Sequence, residues 1–272
     1  MARRFLTLVD RIKKNIALPE MKILPGQLAF FFILTIIPLI AIIFSLAASL
    51  HISKDFINSL IETQFPDTIV SFVKYLSNSE SAEFNTIVFF VSALILGSNG
   101  TNSMINASNQ IYKIKNKGYI YDRIKALFML IVLIMLILFI VVVPVFGDYL
   151  MKGISALLNT NTFDTYVYNF YKILNLPISW FFIFFSIKLL YTLAPDQKIS
   201  SKNVNYGALF TSFSWVIFTK LFSIYVTLFG KYSTFYGSLS SLLVLMLWIY
   251  ILAYLFVLGM VLNVSKYEEK KE

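Results

Sequence analysis

The sequence predicts an all-α integral membrane protein of six transmembrane helices, both termini cytoplasmic, with short amphipathic helices outside the spans. Three observations lead there. Of 272 residues, 58% are hydrophobic and only 14% charged, with a mean hydropathy of +0.76, too little charge to cover a soluble surface. Six apolar stretches, at roughly 28–50, 86–109, 124–147, 173–193, 206–229 and 238–263, each reach the length of about 20 residues that crosses a bilayer. The basic residues also alternate between connections.

Arg3, Arg4, Arg11, Lys13, Lys14 and Lys22 precede the first span. Lys113, Lys115, Lys117, Arg123 and Lys125 lie between the second and third, Lys198 and Lys202 between the fourth and fifth, and Lys266, Lys270 and Lys271 in the tail. The other side carries only Lys54, Lys74, Lys152, Lys172 and Lys231. The positive-inside rule therefore puts both ends in the cytoplasm. The net charge of +9 is accounted for by this topology, and no nucleic-acid partner is expected. The chain divides into a cytoplasmic amphipathic basic segment (1–27), the membrane domain (28–263) and a cytoplasmic tail (264–272).

The leading segment sets Phe5, Leu8, Val9, Ile12 and Ile16 on one helical face, the pattern of a helix lying in the membrane interface. The first span, too long and too far from the start for a cleaved signal, is read as retained. Pro38 interrupts its hydrogen bonding as a kink or hinge, and Ala41, Ser45 and Ser49 form a small-residue face for close helix packing. Residues 51–85 hold two amphipathic pieces separated by Pro66, read as a helical hairpin resting on the bundle.

The second span changes character at Gly97-Ser98-Asn99-Gly100. Continued as a helix, it aligns Asn99, Asn102, Asn106 and Asn109 on one face, with Gly97 and Gly100 admitting a close neighbour. An amide facing hydrocarbon costs several kcal/mol, so the stripe is either a hydrogen-bonded packing seam or the lining of a polar path. The third span is featureless and reads as a wall against lipid. Residues 148–172 read as a polar loop with its tip at 159–162, ahead of the fourth span.

Lys220 lies near the middle of the fifth span, with Ser223 and Thr227 on its face. A charge at that depth costs from about 2.5 to more than 10 kcal/mol by different scales, and calls for carbonyls, the amide stripe, a lipid phosphate or an anionic substrate as partner, or for snorkelling to the interface. The sixth span follows Gly237 and carries Trp248 and Tyr250 as packing residues.

Several residues together resemble the YihY/BrkB family of bacterial inner-membrane proteins across nearly the whole chain. They are Pro38 within Ile36-Ile37-Pro38-Leu39, Asn109 before Ile111-Tyr112, Tyr191 with Pro195 and Gly207, Tyr236-Gly237-Ser238-Leu239, Leu247-Trp248-Ile249-Tyr250, and Gly259 with Asn263. The resemblance implies a multi-pass protein of the bacterial plasma membrane with no settled activity. Members have carried a ribonuclease BN label regarded as a misassignment, and others have been linked to serum resistance or to lipid or solute export. This chain has Val261 between Gly259 and Asn263, where many relatives carry an acid.

Catalysis is not expected. The chain has one histidine, His51, and no cysteine, so neither a metal cluster nor a nucleophile with its base is apparent, and no cofactor is implied. Two readings stay open. In the first, an anionic lipid or small amphiphilic solute moves through a path lined by spans two and five, which hold matching places if the chain is two sets of three helices. In the second, the amides and the glycines Gly207, Gly237 and Gly259 only pack or hinge helices in a membrane scaffold whose partners are lipids and proteins. Sequence does not fix the oligomeric state.

Overall fold

The structure, a computed structural model, describes residues 10, 13, 16, 17, 21–35, 86–136, 161–229 and 240–269. Among these there are six helices and no strand. In chain order they are α1 (Met21–Thr35), α2 (Thr86–Ile111), α3 (119–136), α4 (Asn161–Leu193), α5 (Asn205–Phe229) and α6 (Ser240–Glu269). Pro38, Ala41, Ser45, Ser49 and Gly237, the hairpin at 51–85 and most of the leading segment lie outside the described residues.

Two elements begin earlier than hydropathy alone places them. Residues 21–27 belong to α1, with Met21, Leu24 and Leu28 buried at three- and four-residue spacing, so this end of the leading segment packs into the core. Helix α4 starts at Asn161, inside the stretch read as a loop. Phe163, Val167, Phe170 and Leu174 recur at helical spacing there, and that periodicity outweighs the polar residues between them. Pro177 lies within α4 and removes one of its backbone bonds.

One contiguous apolar core draws on all six helices, from Met21 and Leu28 in α1 through Ile105, Met129, Leu190 and Ala208 to Phe256 and Val257 in α6. Helix α5 packs between α4 and α6, and α6 also meets α2. At the α1–α2–α3 crossing, a Cβ on Gly97 would stand 3.1 Å from the Leu130 side chain and one on Gly100 2.6 Å from the Thr35 hydroxyl. Outward, large apolar side chains stand exposed: Ile124, Phe128, Ile131 and Met135 on α3, and Leu209, Phe213, Ile217 and Ile224 on α5. Soluble proteins rarely present such continuous apolar faces. Among the described residues two helical stretches, Asn205–Val226 and Leu242–Ser265, are long and apolar enough to cross a membrane.

Candidate functional site

The polar centre of the molecule grows from the end of α2. The chain turns left-handed at Lys113 (φ 54°), so the Ile114 N–H returns to the Asn109 carbonyl at 2.8 Å and the Lys113 N–H to the Gln110 carbonyl at 3.1 Å. These are the two bonds of a Schellman cap. They hold Asn109 in the last turn, wholly buried. Its amide nitrogen donates to Asp196 Oδ2 at 2.6 Å, while its oxygen accepts from the Asp196 backbone N–H at 2.9 Å. The same nitrogen donates to Asn116 Oδ1 at 2.9 Å, and Asn116 donates to Asn106 Oδ1 at 3.0 Å.

From the other side comes α3. Gly118, at φ 119°, accepts the first helical bond from the Asp122 N–H at 3.0 Å, and its backbone conformation is one that side-chain-bearing residues rarely adopt. Three residues apart, Asp122 and Lys125 then share a face. Lys125 donates to Asp196 Oδ1 at 2.6 Å and to the carbonyls of Ala194 and Pro195 at 2.7 and 2.8 Å. An ammonium suits this place, because the carbonyls ending a helix lack backbone donors and carry its negative dipole end. Residues 106–125 are thereby tied to the α4–α5 connection.

The charges there are unequal. Burial alone would raise the Asp196 carboxyl, but hydrogen bonds from Lys125 and Asn109, the Lys125 charge and the Lys117 backbone N–H hold it below the ordinary carboxylate value of 3.8. Asp122 goes the other way, raised first by burial and then by the neighbouring Asp196 charge, against a smaller pull from Lys125.

Higher on α2, Asn99 accepts from Arg123 Nη1 at 2.7 Å while Arg123 Nη2 reaches the Ile95 carbonyl at 2.9 Å. Thr101 donates to the Ala126 carbonyl at 2.7 Å. Asn99, Asn106 and Asn109 are thus bonded to groups of the α2–α3 and α4–α5 connections and of α3, and Asn102 is half-buried beside them.

A second polar knot joins α4, α5 and α6. The Tyr191 hydroxyl is within 2.7 Å of both Thr211 Oγ1 and the Phe256 carbonyl, and Asn263 Oδ1 accepts from the Gly207 N–H at 2.7 Å. Gly207 and Gly259 face each other so closely that a Cβ on Gly207 would collide with the Gly259 carbonyl and one on Gly259 with Thr211 and Tyr191.

Lys220 is not at either place. It is exposed on α5, in line with Phe213, Ile217 and Ile224, and Ser223 is exposed near it; the Thr227 side chain lies outside the described residues. The structure therefore brings the amides together with Asp122, Lys125 and Asp196, and sets Lys220 apart. Sequence reasoning missed this ionic partnership. Lys125 registered only as a topology charge and Asp196 was not singled out, although a lysine and an aspartate three apart at a helix start, and an aspartate directly after Ala194-Pro195 at a helix end, were legible signals. Among the described residues no three of His, Cys, Asp and Glu converge as metal ligands.

The family described as the virulence factor BrkB matches residues 20–272, so the chain belongs to that family. YfkH of Bacillus subtilis, a protein named ribonuclease-like, is 28% identical over 250 residues, covering 90% of each chain. The UPF0761 membrane protein PSHAa0171 of Pseudoalteromonas translucida is 25% identical over 250 residues, which are 86% of this chain and 77% of that one. The UPF0761 membrane protein IL2447 of Idiomarina loihiensis shares 29% over a shorter 89 residues, 33% of this chain and 31% of the other. No solved structure matches. The family is one of membrane proteins, in keeping with the apolar faces of α3 and α5.

Proposed function

We propose that the chain is a six-span protein of the bacterial plasma membrane, with both termini cytoplasmic, that handles anionic lipid or a similar amphiphile along the outer face of α5. The exposed Lys220 carries this reading. Its ammonium lies near the middle of a helix long enough to span, on a face whose neighbours Phe213, Ile217 and Ile224 are exposed and apolar. On a face turned to lipid, the partners that relieve its desolvation are water and an anionic headgroup. Ser223, also exposed, extends the polar track toward the helix end. This track replaces a path shared between spans two and five, because α2 spends its amides elsewhere.

That expenditure favours a second reading, a membrane scaffold. Asn99, Asn106 and Asn109 are used in intramolecular hydrogen bonds, as a packing seam requires. Neither reading involves an enzyme. The ribonuclease-like name of YfkH finds no support in the clamp that Asn109, Lys125 and Asp196 form, which includes no nucleophile with a base.

Transbilayer movement of a fluorophore-tagged phosphatidylglycerol, in vesicles with and without the purified protein, separates the two. Lipid handling predicts protein-dependent movement that Lys220→Gln slows about tenfold, equivalent to ~1.4 kcal/mol, and Lys220→Arg restores. Movement equal to that of empty vesicles leaves the scaffold.

A further inference from the structure

Asp122, 7% exposed, lies in the first turn of α3 with its Oδ1 enclosed and without any donor. Its carboxyl neighbours the Asp196 carboxyl, whose negative charge opposes its ionisation. Asp196 already receives Lys125 on Oδ1 and Asn109 on Oδ2. Lys125 spends its three N–H bonds on Asp196 and the Ala194 and Pro195 carbonyls, so none remains for Asp122. Arg123, the next residue of α3, turns to Asn99 and Ile95, and Lys117 in the α2–α3 connection points its ammonium at the Tyr121 hydroxyl, 3.3 Å away. From α2 the facing groups are the neutral amides of Asn106 and Asn109. The charges acting on Asp122 are therefore Asp196, which repels its ionised form, and Lys125, which is already committed.

Two neighbouring carboxylates, one already bound to the Lys125 ammonium and the other with an enclosed oxygen that lacks a donor, leave a gap that a single donor fills. We propose that Asp122 and Asp196 hold one proton between them, making the junction of the α2–α3 turn with the α4–α5 connection a proton-binding site. Asp122 is the protonated member, donating its hydroxyl to the Asp196 carboxylate. Asn109 and Lys125 keep Asp196 ionised, which fixes the direction of the donation. Loss of the proton to water leaves two negative charges facing each other with one ammonium between the helices, and the clamp loosens. The site reads local pH and is independent of whether lipid moves along α5.

Infrared spectroscopy of the full chain in lipid nanodiscs tests this by titration upward from about pH 4, the ordinary aspartate value. The expected spectra retain, after the ordinary aspartates have ionised, the carbonyl stretch of a protonated carboxylic acid, sensitive to deuterium exchange. Asp122→Asn abolishes that band, and Asp10→Asn, at an exposed acid, leaves it. Asp196→Asn also abolishes it, since the new amide donates to Asp122 and lets it ionise. Thermal unfolding gives a second readout: as pH rises above about 4, wild type falls progressively below Asp122→Asn, whose amide supplies the donor at every pH. Absence of the band in wild type overturns the proposal without any variant. A band that survives Asp122→Asn, or parallel melting curves for the two proteins, overturns it as well.

Discussion

At the residue scale, Asp196 and Lys113 show how unequal two exposed-looking loop positions can be. Asp196 is the acceptor for both Asn109 and Lys125, and its side chain is fully buried against one that is 13% exposed. Changing Asp196→Asn breaks the direct ion pair of a largely enclosed ammonium, and such losses cost about 3 kcal/mol; a chemical melt of the purified protein would register it. Because its carboxyl is held below 3.8, the Asp196 contribution is complete above that value and is lost as pH falls through the lower folded-state value. Acid therefore releases the clamp from the Asp196 side. Lys113 adopts a left-handed conformation with no glycine to ease it. Since that conformation costs an ordinary residue about 1 kcal/mol, Lys113→Gly is expected to stabilise by about that amount, and Gly118→Ala to destabilise by at least as much, read from the same melts.

At the scale of elements, the seam between α5 and α6 is set by two glycines. Gly207→Ala or Gly259→Ala pushes a methyl group into backbone and into the Tyr191–Thr211 pair, where nothing flexible can yield. Either change is expected to cost about 3 kcal/mol or more, while Gly26→Ala in α1, with open space around it, should stabilise by about 0.5–1 kcal/mol through helix propensity. Helices α2 and α5 were legible in the sequence to within two residues at either end, because both open on long apolar runs, whereas α6 continues to Glu269, past the expected end at 263 and into the stretch read as the tail. The early starts of α1 and α4 were not, since hydropathy measures what lipid covers and says little about a helical turn covered by other helices, as Met21 and Leu24 are. The amide stripe was visible as a helical face. Its partners were not, because Asn109 and Asp196 lie 87 positions apart and no local period links them.

At the scale of the whole molecule, the absence of cysteine makes any introduced thiol unique. A single cysteine at Asn102, the half-buried amide, should react slowly with a membrane-impermeant reagent if the stripe is closed, whereas one at Lys220 should react only where water enters the α5 face. Met135, exposed on the apolar face of α3, serves as the lipid-facing comparison and should stay unlabelled. Rapid labelling at Asn102 from one side alone would reopen a path along α2. Equal silence at Lys220 and Met135 would place the ammonium in a dry setting, where lipid phosphate is the remaining partner.

The bond between Asn109 and Asp196 also has a schedule. The ribosome adds about 5–20 residues each second, so roughly 4–17 s separate synthesis of the amide from that of the carboxylate 87 positions later. During that interval the amide exists without its long-range partner. Asn116, only 7 positions on, is made within about a second and can occupy the same nitrogen. The side-chain bond between the two asparagines thus does not have to wait for Asp196, whose carboxylate completes the arrangement later.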